Sequence, residues 1–129
     1  MNQATLNQRL ETIESGYEFS LAYAAQGRTD DTGTQMRSTL QAMHAALEGL
    51  GTLLAASMSR EASPYAASAR HFLEAAGRDA GVAQGAIGLV LDQPAISSML
   101  VDNLNASIHL RALLTDLFLI DQARKQMGA

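Results

Sequence analysis

Residues 95–120, AISSMLVDNLNASIHLRALLTDLFLI, decide how the chain is read. At about 100° per residue, Ile96, Leu100, Leu104, Ser107, Leu114 and Phe118 fall on one helical stripe, with Arg111 among them. Leu110 and Leu117 flank the stripe on one side, and Ile108 and Leu119 on the other. The polar residues Asp102, Asn105, His109 and Asp116 collect on the opposite arc. A surface helix needs an apolar arc of only about 100°, and this one has roughly twice that. Such a helix either runs through the centre of its own domain or also meets a second chain.

The residues N-terminal to this stretch resolve into three further helical patterns. From about 5 to 26, Leu6, Leu10, Ile13, Tyr17, Leu21 and Ala24 recur at steps of three and four, with Gly27 as a stop. Phe19 and Tyr23 lie one turn apart on nearly the opposite face and form a candidate contact surface. Residues 28–33, RTDDTG, read as a turn, with Asp31, Thr32 or Thr34 able to cap the second helix. From about 34 to 58, Met36, Leu40, Met43, Leu47, Leu50, Leu54 and Ser57 make a regular bundle seam.

Ser63 and Pro64 are the cap and first position of a third helix, about 64–91, whose stripe is Tyr65, Ala69, Phe72, Ala76, Asp79, Ala83, Ala86 and Val90. Pro94 closes it. Gly77, Gly81 and Gly85 recur every fourth residue on its outer face. Glycine costs roughly 1 kcal/mol against alanine inside a helix, so the row implies either a close neighbour or a break near Gly81. The fourth helix, about 95–126, ends at Gly128 with Arg124 and Lys125 in its last turn. Four long helices joined by short turns predict a single all-α domain over residues 1–129, an antiparallel up-down-up-down four-helix bundle.

Composition narrows the function classes. With 129 residues, 47% of them hydrophobic and 17% charged, the chain has the means to bury a full core unaided. It has no cysteine, which removes disulfides, thiolate nucleophiles and cysteine-ligated metals. The net charge is −4 and the nine basic residues are dispersed, so no nucleic-acid partner is expected. The first thirty residues lack a basic start followed by an apolar core, and no uncharged apolar run reaches the ~18–20 residues of a bilayer span. The expectation is a cytoplasmic protein with no membrane partner.

Motifs for catalysis are missing from the sequence. No nucleophile elbow, phosphate loop, paired-histidine zinc motif or calcium loop occurs, and the Glu-x-x-His pattern of di-iron bundles is absent. His44 with Glu48 and His71 with Glu74 have helical spacing in the reverse order, at the flank of the stripes, where solvated pairs belong. No cofactor or metal is expected, and the reading leans away from an enzyme.

One polar layer stands out. With turns centred near residues 30, 61 and 93, antiparallel folding brings Tyr17, Met43, Asp79 and Ser107 to one height. Arg111, one turn on, leans back toward Asp79. A buried carboxylate needs a partner, and Arg111 is the natural one, so the layer reads as a register-fixing ion pair or as a pocket for a small polar or anionic ligand. The leading expectation is a non-enzymatic homo-oligomeric interaction or scaffold module, with itself and possibly another protein as partner. Its candidate interface is Phe19, Tyr23, Gly77, Gly81, Gly85 and the second apolar side of the fourth helix. The competing expectation is a ligand-binding or enzymatic bundle using Tyr17, Asp79, Ser107 and Arg111, and a metal-carrying bundle is third.

Overall fold

The computed structural model describes residues 3–58 and 66–126. They form six α-helices: α1 (Gln3–Ala24), α2 (Met36–Leu47), α3 (Leu50–Met58), α4 (Ala66–Leu91), α5 (Ser98–Ala106) and α6 (Ile108–Gln126). The domain is all-α among the described residues. The cap at Ser63 and Pro64, the seam side chains of Ser57 and Tyr65, and the stop at Gly128 lie outside the described residues.

Two of the expected continuous helices are each a pair. The seam from Met36 to Leu54 breaks at Glu48 and Gly49, where Gly49 adopts φ +66°, a left-handed conformation that only glycine takes without strain. Polar groups from neighbouring helices stitch this break. The Arg9 guanidinium donates to the Glu48 carbonyl, and the Gln84 side-chain amide donates to the His44 carbonyl at 3.1 Å and the Glu48 carboxylate at 2.6 Å. The apolar phase survives, since Met36, Leu40, Met43, Leu47, Leu50 and Leu54 are all buried.

The second break falls within residues 95–120. Ser107 takes ψ 130° between α5 and α6, and Ser97 caps the start of α5 by accepting from the Leu100 N–H at 3.0 Å. Here the phase does not survive. The buried residues of α6 are Leu110, Leu113, Leu117 and Ile120, while Arg111 and Phe118 face out. Conversely, α4 runs unbroken through Gly81.

The helices pack as α1 on α2 and α5, α4 on α2, α3 and α6. One end of the molecule is tied by a polar clamp between the turn after α1 and the turn before α5. Tyr23 donates its hydroxyl to the Ile96 carbonyl at 2.6 Å, with the Asp30 carbonyl at 3.0 Å. Ser98 donates to the Tyr23 carbonyl at 2.8 Å and accepts from the Arg28 N–H at 2.8 Å. Asp31 accepts from the Ile96 N–H at 2.9 Å and pairs with Arg37 at 3.1 Å, and Arg37 also donates to the Leu91 and Gln93 carbonyls at 2.8 and 2.9 Å. Asp31 therefore links two turns and is not the cap of α2. The Ile96 N–H, together with Arg37, holds its carboxyl below the usual carboxylate range despite partial burial.

Two expectations for α1 are corrected by this clamp. Tyr23, expected on an outer contact face, is 1% exposed, because its hydroxyl reaches the buried Ile96 carbonyl and the Asp30 carbonyl, the latter shared with the Arg28 guanidinium. Leu21, expected in the core stripe, is exposed. The buried side of α1 runs through Leu6, Ile13, Gly16, Ser20 and Tyr23, and Ser20 can enter it because its hydroxyl donates to the Gly16 carbonyl at 2.8 Å.

Candidate functional site

The expected polar layer does not assemble. Arg111 is exposed, and among the described residues no ion pair joins it to Asp79. The break at Ser107 resets the helical phase and turns Arg111 outward, so the pairing inferred from a continuous helix is corrected. Ser107 is half-buried at the break itself, and Tyr17 is half-buried against the core. Of Tyr17, Asp79, Ser107 and Arg111, Asp79 alone meets another charged side chain.

That side chain is Asp116. Asp79 on α4 and Asp116 on α6 both lie half-buried on helices that pack together, and Asp116 Oδ2 is shut off from solvent without a hydrogen-bond partner. Burial first, then the neighbouring Asp79 carboxyl, push the Asp116 carboxyl up to about 7. Two neighbouring carboxylates do not both ionise cheaply, so Asp116 retains its proton above the ordinary carboxylate range. Helical periodicity put Asp116 on the solvent arc and missed it, because its burial follows from the rotated phase of α6. Asn105, placed on the same arc, is 6% exposed with neither amide atom hydrogen bonded.

The glycine row divides. A Cβ on Gly51 would lie 2.9 Å from the Gly77 Cα, so Gly77 is a close approach, but between α3 and α4 of one chain. Gly81 and Gly85 are exposed with nothing within 4 Å of the position a Cβ would take. Phe19 is half-buried against the core. Of Phe19, Tyr23, Gly77, Gly81 and Gly85, only Gly81 and Gly85 are thus left open to solvent.

Large apolar side chains are exposed at Leu89 on α4 and Met99 on α5, and three of them gather on the outer face of α6. Ile108, Phe118 and Leu119 are 74%, 63% and 56% exposed, with Arg111, Thr115 and Gln122 completing the row. The apolar excess of residues 95–120 is therefore on the outside of the isolated chain. Among the described residues no group of three or more histidines, aspartates or glutamates is placed to hold a metal ion, and no described helix is long and apolar enough to cross a membrane. Compared with family models, curated proteins and solved structures, the chain matches none.

Proposed function

We propose that the protein is a non-enzymatic, self-associating helical module whose contact surface is the outer face of α6, and that its six helices make an up-down-up-down bundle of four columns. In that arrangement α2 with α3, and α5 with α6, each share a column. The observation that carries the reading is the exposed row Ile108, Phe118 and Leu119, large apolar groups on a face where a monomer gains from charge.

A two-fold contact is self-complementary, so the row must pair with itself. Antiparallel α6 helices centred near Thr115 bring Arg111 of one copy over the Phe118 ring of the other, a cation–π contact that gives the one cation of the row an apolar partner. The competing ligand-binding reading is not adopted. With Arg111 outside, what remains near Asp79 is a second carboxyl, which repels an anion.

Phe118→Glu tests the proposal. The position is exposed, so folding should change by no more than about 0.5 kcal/mol, whereas a charge on the two-fold contact should weaken association at least about tenfold. Sedimentation of the variant beside the parent decides it. An assembly unchanged by Phe118→Glu would remove α6 from the interface. Gly81→Leu, on the open part of α4, then reports whether that face takes part.

A further inference from the structure

We propose that α6 is a proton-dependent arm, hinged at Ser107, that is released from α4 when the Asp116 carboxyl, buried without a partner on the side of α6 that packs toward α4 and Asp79, ionises. Three features support it. First, the hinge exists: Ser107 leaves the helical conformation, and Asn105 two residues before it is buried with its amide unpaired, so opening there gives water to a group that lacks a partner. Second, α6 rests chiefly on α4, so the seam holding it is the one carrying the two carboxyls.

Third, nothing described neutralises Asp116. On α4, Arg70, His71, Glu74 and Arg78 are exposed, and on α5 Asp102 is exposed. On α6 itself His109 and Arg111 face out, while half-buried Asp121 has an interaction of its own. Among the described groups only the Asp79 charge acts on Asp116. The direction of the switch follows. Asp116 titrates above its ordinary 3.8, up to about 7, so the seam is intact below about 4 and its stabilisation is lost as pH rises toward and through 7. The arm closes in acid and loosens in mild base.

The chain has no cysteine, so Glu74→Cys and Gln122→Cys, both at exposed positions, accept spin labels on α4 and α6 without competing thiols. Labelled protein is diluted into unlabelled protein so that only distances within one chain are read. Samples at about pH 5.5 and about pH 8.5 bracket the transition. The expected result is one short, narrow distance at the lower pH and a second, longer population at the higher, with helix content unchanged by circular dichroism. In the same labelled background Asp116→Asn and Asp79→Asn should each remove the longer population. A single distance at both pH values, a response that survives both substitutions, or a loss of helix content in the parent at high pH would each overturn the proposal.

Discussion

Tyr23→Ala should lower stability by about 3–5 kcal/mol, enough to consume much of the 5–15 kcal/mol that a domain of this size has to lose. The ring is 1% exposed, so truncation leaves a large cavity. Removing the hydroxyl also strands the buried Ile96 carbonyl that it reaches at 2.6 Å. Tyr23→Phe separates the two contributions, since it keeps the packing and should cost only about 1–2 kcal/mol. Urea denaturation of the three proteins measures both. Were Tyr23 on an outer face instead, alanine would change stability by about 0.5 kcal/mol or less.

Gly51→Val should cost about 3 kcal/mol, and it pairs with a substitution of opposite sign. The obstacle at Gly51 is backbone: even one Cβ there would lie 2.9 Å from the Gly77 Cα, and neither α3 nor α4 can turn that atom aside. Alanine at Gly51 gains about 1 kcal/mol of helix propensity and loses about 1–3 to overpacking, so it should be net destabilising. At Gly81, four residues from Gly77 on α4, space is open within 4 Å. There Gly→Ala has only the propensity gain and should stabilise the chain by up to about 1 kcal/mol. Thermal unfolding of Gly51→Ala and Gly81→Ala should therefore shift in opposite directions, and shifts of one sign would mean that the α3–α4 contact is not that close.

These two residues also show what the sequence could convey. Helical periodicity identified the seam from Met36 to Leu54, because a left-handed Gly49 interrupts the hydrogen bonding without moving the apolar phase. The same periodicity failed across Ser107, where neither glycine nor proline marks the break and the phase does shift. Two inferences that crossed it failed with it: Arg111 was turned inward, and Asp116 was left on the solvent arc. Tyr23 failed for another reason. An apolar wheel scores a tyrosine by its ring, whereas its position here is set by a hydroxyl reaching carbonyls more than 70 residues away in sequence, at Ile96, as well as nearby at Asp30. The glycine row correctly signalled a close backbone neighbour at Gly77, but spacing cannot say whether that neighbour belongs to the same chain. What carried through was the apolar excess of residues 95–120, which is a property of composition and needs no helical phase.

That excess is the basis of the self-association proposed for the protein, and its solution mass is the direct test. Light scattering across micromolar concentrations should give a mass near twice the chain's 13.7 kDa, with Phe118→Glu shifted toward the single-chain value. A parent protein that stays at 13.7 kDa over the whole range would contradict the account, and would leave Ile108, Phe118 and Leu119 as exposed apolar residues without a partner of their own kind.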